Sequence, residues 1–247
     1  MLALGPVLYV GVALAVTAAE AIGPEWAAPL KPLMMPALAA AVAGAVRGSP
    51  RSSLDAPLAV ALAGGWVGDI ALVFAPAAGL PGTLGGVPRH PAFFFVGVAG
   101  FFVGHLGYLR ALRAGLGPRG PGRGLPPALG AALGALAVVV LAVIVARLAG
   151  DPARAPAIGP VLVYAALLVA MALAALDRRG RAAPASVGPA IAGALCFLLS
   201  DALIGLRFIA GLPVPGAGPA ILATYTAAQG LLAVGLVRQR GAAASPG

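Results

Sequence analysis

Eight long apolar runs, cut apart by proline, glycine and arginine, take up nearly the whole of this chain: residues 2–19, 31–46, 57–75, 91–110, 126–147, 157–176, 186–208 and 217–237. Crossing a hydrocarbon core of about 30 Å as an α-helix takes about 20 apolar residues, so each run reads as a membrane span. The run ending near Phe74 is followed by the segment from Pro76 to Pro91, long enough to turn outside the bilayer. Thr17-Ala18-Ala19 is similar to a small-residue cleavage site. No positively charged stretch precedes the first run, however, so that run reads as a span and not as a signal peptide.

Composition excludes the other classes. Of 247 residues, 61% are hydrophobic and 9% charged, against roughly a quarter charged in a soluble domain. The 36 Gly and 24 Pro do not signal disorder, because disordered chains lack aliphatic residues; in membrane helices small residues permit close backbone approach. A formal charge of +9 could suggest nucleic acid, but the arginines lie in short clusters between spans, with no basic helix or aromatic-studded sheet to present them, so no nucleic-acid partner is expected. The single cysteine, Cys196, excludes an intramolecular disulfide. The expectation is one all-α transmembrane bundle over residues 1–240, with a short disordered tail from 241 to 247.

With the N-terminus in the cytoplasm, eleven of the sixteen basic residues fall on the cytoplasmic side: Arg47, Arg51, Arg110, Arg113, Arg119, Arg123, Arg178, Arg179, Arg181, Arg238 and Arg240. Lys31, Arg89, Arg147, Arg154 and Arg207 fall opposite, together with Glu20 and Glu25. This is the positive-inside bias, and with eight spans it places both termini in the cytoplasm. The richness in Ala, Gly, Pro and Arg resembles that of a high-GC bacterial genome, and the chain is expected as a multi-pass protein of the cell inner membrane or plasma membrane.

Few ionisable residues interrupt the runs. Each costs at least about 2.5–3.5 kcal/mol at mid-bilayer, so such residues face the bundle interior and mark function. Asp69 lies in the third run, His105 in the fourth and Asp201 in the seventh, while Lys31 opens the second. Counting from the non-cytoplasmic ends at about 1.5 Å per residue puts Asp69, Asp201, Tyr164 and Tyr225 at one level, roughly 9–12 Å below the interface. The spans alternate in direction, so this common depth predicts one polar pocket built from several helices. His105, with Tyr108 beyond it, counts several ångströms deeper. Each residue also has a structural reading. An intramembrane Asp can tie two helices together, His105 can donate to a neighbouring carbonyl, Tyr225 and Gln229 can be interhelical glue, and Lys31 can snorkel at a helix end. Gly97, Gly100, Gly104 and Gly107 mark a close-packing face, which can serve within the chain or across a homodimer.

Lys31-Pro32 at the opening of a span, Gly68-Asp69, the Phe93–Phe102 stretch leading to Gly104-His105-Leu106-Gly107-Tyr108, then Phe197 to Asp201 and Tyr225-Thr226-Ala227-Ala228-Gln229 follow in an order that resembles the YhhN family. Its characterised members are lysoplasmalogenases. The resemblance implies a role in ether-lipid metabolism: hydrolysis of the vinyl-ether bond of a lysoplasmalogen, a lysophospholipid of the membrane, to a fatty aldehyde and a glycerophospho-base.

The residues suit that chemistry. A vinyl ether is cleaved by a proton delivered to carbon, giving an oxocarbenium ion, and by water added to that ion with loss of a proton. One of Asp69 and Asp201 would serve as general acid while the ionised partner stabilises the cation and activates water; the sequence does not assign the roles. Lys31 can pair with the lipid phosphate, Tyr164, Ser200, Tyr225 and Gln229 can orient water and the glycerol hydroxyl, and His105 is a further candidate. No cofactor is required and no metal is expected, since His90 and His105 stand in no recognised ligand spacing. The alternative is a small proton- or cation-coupled secondary transporter using Asp69 and Asp201, whose inverted repeats and matched broken helices are not evident.

Overall fold

The computed structural model describes residues 4–76, 82–118 and 127–243. Each of the eight runs forms a helix: α1 (Leu4–Ile22), α3 (Lys31–Val46), α4 (Asp55–Val73), α5 (Ala92–Arg113), α6 (Pro127–Ala149), α7 (Ile158–Asp177), α8 (Pro184–Ile204) and α9 (Ala217–Ala243). A single turn, α2 (Pro24–Ala27), links the first two. Among the described residues seven helices are long and apolar enough to cross a membrane, and α3, with 16 residues, is shorter. At about 1.5 Å per residue α3 still reaches about 24 Å. The chain is an all-α polytopic bundle.

Two prolines fall inside helices, Pro36 in α3 and Pro189 in α8. A helical proline lacks the N–H that would bond the carbonyl four residues earlier, which frees the carbonyls of Pro32 and Ala185. Both find donors on neighbouring helices: Trp66 Nε1 donates to the Pro32 oxygen at 2.9 Å, and Arg238 Nη1 to the Ala185 oxygen at 3.1 Å. Each break is thereby turned into an interhelical tie.

Two helix pairs pack most closely, α4 with α5 and α8 with α9. Glycine decides this. A Cβ on Gly64 would stand 2.5 Å from the Gly104 nitrogen, and one on Gly193 would stand 2.8 Å from the Leu232 nitrogen. Without side chains the backbones come into direct contact, which drives helix association where lipid is as apolar as the helix surface. The main core, with Tyr9, Met34, Met35, Tyr108, Met171, Phe197 and Leu232, lies among α1, α3, α4, α5, α7, α8 and α9. Helix α6 is peripheral, burying Ile144 and Leu148 and exposing Val138 and Val139.

Several boundaries differ from the apolar runs. Helix α9 continues through Arg238 and Arg240 to Ala243, because charge ends the solubility of a segment in lipid but not its backbone hydrogen bonding. Residues 244–247 of the expected tail lie outside the described residues. So do Arg119 and Arg123. The segment after α4 carries a two-stranded hairpin, β1 (Thr83–Leu84) and β2 (Val87–Pro88), closed by Gly85 and Gly86 at φ 56° and 80°. Positive φ at both turn residues is what a tight two-residue hairpin requires.

The charges are sorted by end. At one end Arg178 donates to the Leu112 carbonyl at 2.9 Å, Gln239 bonds Gly115 and Ala183, and Arg240 pairs with Asp55 at 2.6 Å. These contacts gather the loops that hold Arg47, Arg51, Arg179 and Arg181 beside the end of α9, which carries Arg238. At the other end Lys31 pairs with Glu20 at 3.2 Å and Arg154 bonds the Ile209 carbonyl.

Candidate functional site

Asp69 stands on α4 one residue beyond Gly68, whose missing side chain lets the Phe101 ring of α5 close in. The carboxylate is 5% exposed. Its Oδ2 accepts from the Tyr225 hydroxyl at 3.0 Å; that hydroxyl accepts from Gln229 Nε2 at 3.1 Å; and the Gln229 carbonyl oxygen accepts from Tyr108. Every donor in this chain points toward Asp69. Tyr225 and Gln229 share a face of α9 because they are four residues apart. Tyr9 of α1 braces them from behind, donating to the Thr226 carbonyl at 2.6 Å, with its ring against Gly230.

Asp201 belongs to a second network. Its Oδ2 accepts from the Tyr164 hydroxyl at 3.4 Å and stands 3.5 Å from His105 Nε2. His105 Nδ1 lies 2.6 Å from the Phe101 carbonyl. A carbonyl only accepts, so Nδ1 carries a proton, which leaves Nε2 as the nitrogen that faces Asp201. That nitrogen is otherwise buried without a hydrogen-bond partner. Tyr164 completes the enclosure, edge-on to the imidazole at 5.5 Å between centroids.

Among the described residues no hydrogen bond or ion pair joins the two carboxyls. Phe197 stands between their networks, with its centroid 4.6 Å from His105 and 5.6 Å from Tyr225, edge-on to both. It shares the inner face of α8 with Asp201, four residues on. The single polar pocket expected from depth is therefore two networks divided by one aromatic ring.

The residues singled out in the sequence distribute as follows. Asp69, Tyr225 and Gln229 form one network; Asp201, His105 and Tyr164 form the other. The depth assigned to His105 is corrected: the imidazole is in contact with Asp201, not several ångströms beyond it. Side chains lean toward the N-terminus of their helix, and α5 and α8 run in opposite directions, so His105 leans up while Asp201 leans down. Ser200, fully buried, faces away from both networks and donates to the Ile221 carbonyl at 3.3 Å. Lys31 lies at the rim, paired with Glu20. Nothing in the sequence marks Tyr9, and Phe101, Tyr108 and Phe197 stand out there only as members of the family-like motifs; apolar and aromatic residues in apolar runs carry no local signal of their neighbours. A π-helical stretch, Gly205–Ile209, begins one turn after Asp201, a departure common beside functional sites.

Fold and site together define a multi-pass helical membrane protein that buries two acids and a histidine in its core. Residues 26–236 match the model of the YhhN family, and the chain belongs to that family. No curated protein and no solved structure matches it. Family membership carries an association with lysoplasmalogenase-like hydrolysis in membranes.

Proposed function

We propose that this protein is an intramembrane hydrolase that cleaves the vinyl-ether bond of lysoplasmalogens. The observation that carries the reading is the contact of Asp201 with Nε2 of His105, the nitrogen left over from the Phe101 bond, inside a family associated with this activity. In this reading Asp201 delivers its proton to the vinyl carbon remote from the ether oxygen, and the C=C electron pair forms the new C–H bond. An oxocarbenium ion results at the carbon bonded to oxygen. Asp69, toward which three donors point in series, serves as the ionised partner that faces the cation and takes a proton from the attacking water. The hemiacetal then collapses to fatty aldehyde and the free glycerol hydroxyl: Asp69 gives the proton it took from water to the departing glycerol oxygen, and the hemiacetal hydroxyl proton passes by way of His105 Nε2 to Asp201, so that both acids return to their starting states. Phe197, between the two networks, offers its ring to the cation.

Lys31 and Arg207 form a basic rim, both lying near Glu20, suited to a phosphate. By the positive-inside rule the arginine-rich end is cytoplasmic, so this rim faces the other side of an inner or plasma membrane. Ser200 has a structural role in this scheme.

The test is aldehyde release from a lysoplasmalogen by protein purified in detergent. Wild type is expected to turn over, and Asp69→Asn and Asp201→Asn to lose at least about 10²-fold in kcat, the scale of acid–base catalysis, while eluting as folded protein. A folded wild type inert toward vinyl-ether lysolipids contradicts the reading and returns the two acids to proton-coupled transport.

A further inference from the structure

Helices α3, α4 and α9 do not close on one another along the half of the bundle nearer the arginine-rich end. They leave a groove of about 480 Å³, running from Met35 and Trp66 to Val46, Asp55 and Arg240, within the size range of small-molecule sites. Its walls are aliphatic, and Ala39, Ala43, Ala59 and Ala63 face the space with no larger side chain to fill it. The floor is closed by charge. Arg240 Nε bonds Asp55 at 2.6 Å and its Nη2 bonds the Pro50 carbonyl at 2.6 Å, stapling the α3–α4 loop to the end of α9.

At its upper end the groove meets the Asp69 network. A Cβ on Gly65 would stand 3.2 Å from Met35 Sδ, which lines the groove, and 3.1 Å from Gln229 Nε2, which belongs to the network. Gly65 is thus the one-residue boundary between an apolar channel and the polar site. Trp66 is held at the mouth by its bond to the carbonyl that Pro36 frees.

We propose that this groove holds the hydrocarbon chain of the single-chain lysolipid substrate and that the Asp55–Arg240 pair sets how long that chain can be. The inference rests on the hydrolase reading above and adds to it the substrate's orientation: phosphate at the Lys31 rim, reacting bond beside Asp69, chain descending toward Arg240. Both walls give the same length, since Met35 to Val46 and Asp55 to Trp66 each span eleven residues and so about 16 Å of helix. An extended chain with carbon–carbon bonds of about 1.5 Å advances about 1.25 Å per carbon, so the groove takes about thirteen carbons below the reacting bond. A carbon chain driven further would leave aliphatic surface and meet the Asp55–Arg240 ion pair, whose Asp55 side chain is exposed.

Two measurements test this. Chain-length selectivity is read as the ratio of kcat/KM for a fourteen-carbon to an eight-carbon lysoplasmalogen, in wild type and in Ala43→Phe and Ala59→Phe. Filling the lower groove is expected to lower that ratio about ten-fold or more, since one mismatched methylene in an apolar pocket already changes discrimination about 10–200-fold. An unchanged ratio in an active enzyme overturns the inference and leaves the hydrolase reading standing. Occupancy is read without turnover in Trp26→Phe protein in nanodiscs, where Trp66 is the remaining tryptophan. A chain-brominated lysolipid is expected to quench it saturably, whereas a two-chain phospholipid of equal bromine content quenches only in proportion to its amount. Equal quenching by the two lipids overturns the groove assignment whether or not the protein hydrolyses anything.

Discussion

His105 is held through one nitrogen and, in the proposed reaction, acts through the other. Its Nδ1 bonds the Phe101 carbonyl, and Nε2 faces Asp201. His105→Gln keeps polarity but cannot relay a proton; kcat is expected to fall about 10²–10³-fold, with KM changed far less, as steady-state kinetics on a vinyl-ether lysolipid would read. Tyr225→Phe belongs to the other network. It strands the buried Asp69 oxygen and Gln229 amide that now meet at the hydroxyl, and the loss is expected to be about 1–3 kcal/mol of stability, seen as a lower melting temperature in detergent together with reduced turnover. Both acids were legible in the sequence, since an ionisable group within an apolar run stands out without knowledge of the fold. Which residues touch them was not. Counting rise along straight helices locates the Cα but ignores the lean of the side chain, which brings His105 to Asp201, and Ser200, adjacent to Asp201 in sequence, points a different way round the helix.

Helix pairs set the distance between the two networks. Asp69 rides on α4 and His105 on α5, and these helices are in backbone contact through Gly64, Gly100 and Gly104. Gly64→Ala places a methyl against backbone atoms that cannot rotate away; overpacking of this kind costs about 1–3 kcal/mol. The melting temperature is expected to fall, and activity with it, because α4 shifts away from α5 and carries Asp69 along. Helix existence was legible at this scale, and so was the glycine face of α5, whose alternating three- and four-residue spacing is visible in the sequence. The partner of that face was not, since glycines on α4 and α8 look alike from their own runs. The π-helical stretch after Asp201 leaves no sequence mark, and the rescue of the Pro32 and Ala185 carbonyls by Trp66 and Arg238 depends on which helices become neighbours.

At the scale of the molecule, the arginine clusters and the interior acids describe one polarity: a basic end where Arg178, Arg181 and Arg240 fasten loops together, and an opposite end where Lys31 meets Glu20. In a Cys196→Ser background, Ser53→Cys is expected to react with a membrane-impermeant maleimide only after the membrane is opened, and Thr83→Cys in intact cells; labelling of both from the same side would break the alternation of spans. This polarity was legible because charge asymmetry between loops survives any error in span boundaries. The measurement that bears most directly on the function is cleavage of a lysoplasmalogen by the purified protein in deuterium oxide, with the aldehyde trapped as it forms. Protonation of carbon by an exchangeable acid predicts a single deuterium on the carbon next to the carbonyl, absent from product made in ordinary water. Aldehyde released without that label, or no aldehyde at all, would contradict the account.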